Sequence, residues 1–269
     1  MIFIILRKLT ILTLVILLFS GTYSFATDLT GYQAIYNMKL DKATTGSQFS
    51  AVHGSAVSYF RRACAGWQAK EELVMDFYTQ TGASIRRDLK FESLEAFDGK
   101  TYKFSSTAMT NGIAEKYYGT AHSKPEKEGE AVFEGESQKT FILPQGTVFY
   151  TGLVQWLLSE AERGRQSAET WVFDGADAEG PEKVVAFILA FQPDRNQDLH
   201  PNFGKLTQGK RWTIRLAFYK PGPIDGIPNY EMEIGMVENG VLTGFRIHFE
   251  NFSVTQTLED LISVEAEKC

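Results

Sequence analysis

An alternation of apolar and polar residues with a period of two runs through most of this sequence. Three segments show it most clearly: 32–40, 73–78 and 211–218. Such alternation places one face of an antiparallel strand on a core and the other toward solvent. The sequence therefore predicts a mainly β protein, in which each strand buries one side.

One segment breaks this pattern. Between Val148 and Arg163 the apolar residues recur at the spacing of a helix, with Thr147 before them as an N-cap and Gly164 where a helix ends. The sequence predicts one amphipathic helix over residues 148–163. We expect it to cover an apolar face of the sheet.

Several turns are also predicted. Asn239-Gly240 separates two alternating segments and favours a hairpin with a type I′ turn, because both central residues of that turn need positive φ. Asp98-Gly99 and Asp174-Gly175 are similar turn signals.

The chain has only two cysteines, Cys64 and Cys269. Neither has a second cysteine two or three residues away, so the spacings of redox pairs and zinc ribbons are absent. In an oxidising compartment the two would form one disulfide bond. The alternative is a buried thiol at Cys64 and a free thiol at Cys269.

Residues 1–26 resemble a secretory signal peptide. The basic pair Arg7 and Lys8 is followed by the apolar run Leu9–Phe19, and the small residues Ser24 and Ala26 precede the cleavage point. The run is short for a bilayer span, although the apolar residues before Arg7 leave an uncleaved anchor as the alternative. We expect export to the periplasm and no integral membrane span in the remaining chain.

The remaining segment, 27–269, is predicted to form a single domain, because no linker or repeat divides it. The formal net charge is −6, and loss of Arg7 and Lys8 with the leader takes it to −8. A chain this acidic has no general attraction for nucleic acid, whose binding requires neutralised phosphates.

A series of short motifs resembles the EipB-like cell-envelope integrity family, which comprises periplasmic proteins of alphaproteobacteria. The motifs occur in the family's order: Cys64–Trp67, Leu143–Phe149, Glu160–Gly164, Val172–Gly175, Trp212 with Ala217–Tyr219, Pro228–Glu231, Glu238–Val241 and Cys269. The residues to which the resemblance assigns a structural role are Gly66, Trp67, Leu143, Pro144, Phe173, Asp174, Gly175, Asn239 and Gly240.

The resemblance implies a long antiparallel sheet wound into a closed, barrel-like β-spiral and locked by a Cys64–Cys269 disulfide. It also implies a role in envelope integrity without a known catalytic reaction. Two family features are missing. A Phe-Pro with a His is absent from 149–153, and an aspartate-tyrosine pair is replaced around His248–Glu250.

The sequence contains no recognisable catalytic or metal-binding motif. The four histidines, His53, His122, His200 and His248, lack metal-ligand spacing. Neither an esterase elbow nor a phosphate-binding loop occurs. Asp76, Glu92, Asp98 and Glu231 could supply a glycosidase pair, but carboxylates on outer strand faces are usually just solvated. We therefore expect no catalytic residue, no metal and no cofactor.

Three functional hypotheses remain. The first is a non-enzymatic periplasmic protein that maintains the envelope by protein–protein or chaperone-like binding. The second is a carrier of a lipid or lipoprotein, suggested by the aromatic content of 13%. The third is an envelope hydrolase whose site is assembled from distant strands.

Overall fold

The computed structural model describes residues 29–135, 138–192, 197–222 and 226–269, so the predicted signal peptide lies outside the described residues. The strands and the helix are, in chain order, β1 (Tyr32–Ala43), β2 (Phe49–Ala63), β3 (Gly66–Thr79), β4 (Ser84–Glu95), β5 (Thr101–Thr110), β6 (Ile113–His122), β7 (Gly129–Phe133), β8 (Lys139–Leu143), α1 (Tyr150–Glu162), β9 (Ser167–Val172), β10 (Glu182–Ala190), β11 (Arg211–Tyr219), β12 (Tyr230–Val237), β13 (Leu242–His248) and β14 (Phe252–Ser263). Short 3-10 turns lie at Gln197–Leu199 and Gly204–Thr207.

The 14 strands of the described residues belong to one antiparallel sheet. Its order runs from β8 down to β1, then to β14, and from β14 down to β9. The first strand therefore pairs with the last, and the register matches Tyr32 with Ser263 and Lys39 with Thr255. The mainly β architecture with one helix is confirmed.

The two ends of the sheet are connected by loop contacts rather than by a continuous strand ladder. Strands β8 and β9 are the two ends of the sheet and do not pair with each other. Instead, the Val148 N–H donates to the Trp171 carbonyl at 2.8 Å, and the Phe173 N–H donates to the Val148 carbonyl at 3.0 Å. The loop after β9 then reaches β5, where the Tyr102 hydroxyl donates to the Asp174 carbonyl at 2.8 Å.

Two buried clusters fill the concave side. The larger joins α1 to β1–β3 and β9–β14, and its fully buried members include Tyr36, Leu157, Leu158, Ile214 and Met236. The smaller lies under β4–β8 and is mostly aromatic, with Tyr102, Phe104, Phe133, Phe149 and Phe173 at its centre. The alternation read from the sequence thus places its apolar side on these two clusters.

The helix is two residues shorter at its start than predicted and ends one residue earlier. Leu157, Leu158 and Ala161 are buried in the larger cluster. Full burial of a leucine side chain contributes about 1.5–3 kcal/mol, so this face anchors α1 to the sheet. The predicted covering role agrees with this packing.

The N-terminus of α1 is stabilised from outside the helix. Thr147 does not cap it, because the N-cap residue is Phe149. The Thr147 hydroxyl donates to the Pro144 carbonyl at 2.7 Å instead. The buried Glu95 carboxylate, at the end of β4, accepts the Thr151 N–H at 2.7 Å and the Gly152 N–H at 3.0 Å. This carboxyl group thus accepts bonds from N–H groups that the first turn of a helix leaves without an intrahelical partner.

The turn at Asn239-Gly240 is not of type I′. Gly240 has φ of 82°, but Asn239 does not have positive φ. The Gly240 N–H donates to the Val237 carbonyl and the Val237 N–H donates to the Val241 carbonyl, so three residues form the loop and glycine takes the left-handed position. The pair with positive φ at both positions is Asn111-Gly112, between β5 and β6.

A disulfide joins the β2–β3 hairpin to the segment after β14. The sulfur atoms of Cys64 and Cys269 are 2.02 Å apart, and the residues are separated by 205 positions in sequence. Glu267 adds two hydrogen bonds there, since its N–H donates to the Arg62 carbonyl at 2.9 Å and its side chain accepts the Cys64 N–H at 3.0 Å.

Replacing both cysteines by serine should lower the free energy of unfolding by about 2–4 kcal/mol, because the unfolded chain regains the entropy of a long open loop. Denaturant unfolding of protein produced under oxidising conditions measures this. Wild-type protein under reducing conditions is the matched control and should behave like the double variant. Labelling of both cysteines by an alkylating reagent without prior reduction would contradict the disulfide.

The stability of the protein should decrease between about pH 4.5 and pH 7 because of Glu95. Burial raises the pKa of this carboxyl from 4.5 to about 7, although its hydrogen bonds to Thr151 and Gly152 oppose the rise. In this window the unfolded chain releases the proton and the folded chain keeps it, so unfolding becomes more favourable as the pH increases. The effect of this group amounts to about 3 kcal/mol.

Thermal and denaturant unfolding of wild type and Glu95→Gln across this pH range test the assignment. The stability difference between the two proteins should change with pH by that amount. Glu92→Gln is the matched control, because Glu92 is an exposed residue of the same strand that pairs with Lys70. Parallel pH curves for wild type and Glu95→Gln would show that Glu95 does not titrate there.

Candidate functional site

A cavity of about 300 Å³ lies between α1 and the concave face of the sheet. The helix contributes Tyr150, Leu153, Val154 and Leu157. The strands contribute a mostly aliphatic wall: Ala56, Leu73, Val172, Leu216, Phe218, Met232, Ile234, Leu242, Phe245 and Ile247. Its size is at the lower end of the range for small-molecule sites, and such sites typically combine apolar walls with a few polar groups.

Glu71 is a carboxylate on the inner face of the sheet. It lies on β3 two positions before Leu73, so the strand's alternation turns both side chains toward the cavity. The Tyr150 hydroxyl donates to its Oε1 at 2.9 Å. Burial raises the pKa of Glu71, the hydrogen bond from Tyr150 opposes the rise, and the nearby charge of Asp174 adds to it.

Two further acidic residues, Asp174 and Glu182, lie at the mouth of the cavity. Asp174 and Tyr230 line both the cavity and an adjoining recess of about 220 Å³ that also contains Glu182. The Tyr230 hydroxyl donates to Glu182 Oε2 at 3.3 Å. Burial, assisted by repulsion from Asp174, raises the pKa of Glu182 to about 7. Asp174 is itself exposed to solvent at this mouth.

No positively charged side chain of the described residues forms an ion pair with Glu71, Asp174 or Glu182. Lys220, which lines the recess, is paired with Glu179 at 2.7 Å. The site therefore combines an apolar interior with carboxyl groups at one end that form no ion pair among the described residues. It can hold an apolar group and accept hydrogen bonds at one end.

The motif residues Gly66 and Trp67 lie at the start of β3 and support strand packing. A Cβ on Gly66 would lie 2.0 Å from the Glu95 carbonyl, so only glycine allows this approach. Trp67 stacks on Phe60 with ring centroids 5.1 Å apart. Neither residue lines the cavity.

The motif residues between β8 and β10 surround the smaller cluster. Leu143 and Phe173 are buried in it, and the Pro144 carbonyl accepts the Thr147 N–H. Gly175 has φ of 72°, and a Cβ there would lie 2.5 Å from the Phe104 ring. Asp174-Gly175 begins the long connection from β9 to β10 rather than a tight hairpin. Of these motif residues, Asp174 lines the cavity.

The turn pair Asn239 and Gly240 lies away from the cavity lining. The Asn239 side chain accepts the Val241 N–H at 3.1 Å and donates to the Leu206 carbonyl at 3.0 Å. These two bonds fix the β12–β13 hairpin against the segment before β11.

The carboxylates that the sequence offered as a glycosidase pair do not come together. Asp76, Glu92 and Glu231 pair with Arg86, Lys70 and Arg215 respectively. Asp98 accepts the Lys100 N–H in a turn. These are local strand-surface and turn contacts.

The histidines are also dispersed. His53 lies in β2, His122 ends β6 and His248 ends β13. His200 is buried and lies within hydrogen-bonding distance of Thr213 and Thr243. Across the described ranges, no group of three or more His, Cys, Asp or Glu side chains could hold a metal ion.

Four residues of the site are not predicted from the sequence alone: Glu71, Glu182, Tyr150 and Tyr230. A signal existed for Glu71, since extending the Leu73, Met75, Phe77 alternation backward places this carboxylate on the apolar face. For Glu182 and Tyr230 the sequence offers no such signal, because their proximity depends on the loop after β9.

Within the described residues, no helix has the length and apolarity needed to cross a membrane.

Comparison with known proteins identifies relatives of this fold. A solved structure described as a beta-barrel-like protein with a domain of unknown function from Brucella abortus aligns with a TM-score of 0.78 at 23% sequence identity. The alignment covers 88% of this chain and 98% of that one. At this identity the likeness shows a shared fold.

A sequence relative extends the match. The cell envelope integrity protein EipB of Brucella abortus (strain 2308) is 26% identical over 251 residues, which cover 90% of this chain and 88% of the relative. The model of the EipB-like family matches residues 24–265. Because that match spans most of the sequence, the chain belongs to the EipB-like family.

Proposed function

We propose that this chain maintains the integrity of the cell envelope from the periplasm, as a binding protein that catalyses no reaction. The family match over residues 24–265 and the name of the Brucella relative support the envelope role. The predicted signal peptide at 1–26 supports a location outside the cytoplasm. The observation that carries the binding role is the cavity beneath α1, which has an apolar interior of about 300 Å³.

The cavity chemistry favours binding over catalysis. Glu71 and Glu182 have raised pKa values, as catalytic acids often do. However, most of the lining is aliphatic or aromatic. A hydrolase would also need groups that activate and hold water or substrate on both sides of a scissile bond. Tyr150 instead donates its hydroxyl to Glu71 within the cavity.

The cavity also favours the hypothesis of a carrier for a lipid or lipoprotein. An apolar interior with a polar end suits one acyl chain and its head group. Protein purified from the periplasm under native conditions would then retain a bound amphiphile, which native mass spectrometry detects.

Protein–protein contact is supported by the two ends of the sheet. Neither β8 (Lys139–Leu143) nor β9 (Ser167–Val172) has a second strand neighbour among the described residues. Ile142 on β8 is 61% exposed. An extended partner segment could add to such an edge through backbone hydrogen bonds. Both ends are short, which limits the area available to a partner.

Loss of the gene product should increase sensitivity to detergents and β-lactam antibiotics, because the envelope would lack a stabilising component. Growth on graded concentrations of each compound measures this. Expression of the wild-type chain in the deletion strain is the control and should restore resistance. Unchanged resistance in the deletion strain would contradict the proposed envelope role.

Purified protein incubated with isolated envelope fractions should yield no new product from peptidoglycan, phospholipid or ester substrates. Mass spectrometry of the fractions before and after incubation tests this expectation. A Glu71→Gln, Asp174→Asn double variant serves as the comparison, since it removes the carboxyl groups best placed for acid–base chemistry. A product formed by wild type and absent with this variant would establish an enzyme.

A further inference from the structure

The acidic end of the cavity is the feature that the proposed binding role leaves unexplained. A cavity that held a purely apolar group would have no use for a carboxylate among its walls, because burying a charge without a partner costs free energy. Glu71 nevertheless faces the same space as Leu73, Leu153 and Leu157.

The internal contacts of the acidic residues do not balance their charge. Glu71 accepts the Tyr150 hydroxyl, and Asp174 Oδ1 accepts the Ala176 N–H at 2.9 Å. Both donors are neutral. In the part of the chain that the structure describes, two lysine side chains near this region form ion pairs with other carboxylates. Lys220 pairs with Glu179, and Lys183 pairs with Glu169. Repulsion between Asp174 and Glu71 adds to the desolvation of Glu71 and raises its pKa further.

A ligand cation would supply the missing charge. Placed between the cavity and its mouth, it would interact favourably with Glu71 and Asp174, and an ionised donor makes a stronger hydrogen bond than a neutral one. An anionic head group would meet the same carboxylates and be repelled. The apolar walls require that the cation carry an apolar body.

We propose that the cavity binds an amphiphile with one apolar chain and a protonated amine, with the chain against Leu153, Leu157 and Phe245 and the amine beside Glu71 and Asp174. The inference rests on the proposed binding role and names its ligand class.

Other occupants fit less well. A bare metal ion would leave the apolar walls unfilled, and among the described residues no cluster of three metal-ligating side chains exists. A helix or strand of a partner protein needs more room than about 300 Å³. A single chain with a small head group matches the volume and the charge.

Decylamine, decanol and decanoate provide a direct test, because they share one chain and differ in head-group charge. Each is titrated into the purified mature protein at neutral pH below its aggregation concentration, and binding is followed by calorimetry. We expect decylamine to bind at least roughly tenfold more tightly than decanol, a difference of about 1.4 kcal/mol. Decanoate should bind most weakly.

Glu71→Gln is the site variant, since glutamine keeps an acceptor for the Tyr150 hydroxyl and removes the charge. It should weaken decylamine binding by roughly tenfold and leave decanol binding unchanged. Glu92→Gln is the matched control on the neighbouring strand, because Glu92 is exposed and paired with Lys70. It should bind all three compounds as wild type does.

Equal binding of the three compounds by wild type would overturn the proposal, and so would binding of decylamine that Glu71→Gln does not weaken. If Glu71→Gln fails to fold, the order of affinities of the three compounds for the wild-type protein tests the proposal by itself. This outcome is separable from the envelope role. If the chain restores detergent resistance but binds the three compounds equally, the proposed envelope function stands and the proposed ligand class is wrong.

Discussion

The pairing of β1 with β14 is the contact on which the rest of this structure depends. It joins the two ends of the described chain in the middle of the sheet, so that β2–β8 extend to one side and β9–β13 to the other. Each half is a series of hairpins, but neither alone encloses a core. Tyr36 on β1 illustrates the junction, because its buried hydroxyl donates to the Leu242 carbonyl at 2.7 Å. The disulfide between Cys64 and Cys269 reinforces the same region from one end.

The fold also requires the helix, because a curved sheet of this size exposes an apolar concave face unless another element covers it. Leu157 and Leu158 attach α1 to the larger cluster, and Phe149 anchors its entry in the aromatic cluster under β4–β8. The Glu95 carboxylate accepts hydrogen bonds from the first turn. The helix therefore depends on both halves of the sheet, and the cavity exists because α1 covers the strands without filling all the space beneath it.

The acidic residues at the cavity relate the fold to the proposed ligand. Most acidic residues of the strands lie on the outer face in pairs such as Lys70–Glu92 and Arg215–Glu231, where water screens them and little energy is involved. Glu71, Asp174 and Glu182 differ because they lie in or beside the cavity and form no ion pair with another described residue. A carboxyl group inside an apolar cavity, such as Glu71, reduces stability in the empty protein, and proteins commonly tolerate this cost where a ligand binds.

The sequence by itself determined the strands, the helix and most of the turn positions. A period of two sorts residues such as Tyr32, Ala34 and Tyr36 to one side, and this local rule operates without knowledge of neighbouring strands. The family motifs predicted the extended sheet. The type of the Asn239-Gly240 turn could not be predicted, because two turn geometries accept this dipeptide and the register of β12 on β13 selects between them.

Only the tertiary structure decided which residues form the site. Glu95 reaches the helix across 56 positions of sequence, and Tyr150 reaches Glu71 across 79. The loop after β9 brings Asp174 and Glu182 to the mouth of the same cavity. These contacts depend on how far the sheet curves and where α1 lies against it. Local sequence patterns specify which face a side chain occupies, but not which distant side chain it meets there.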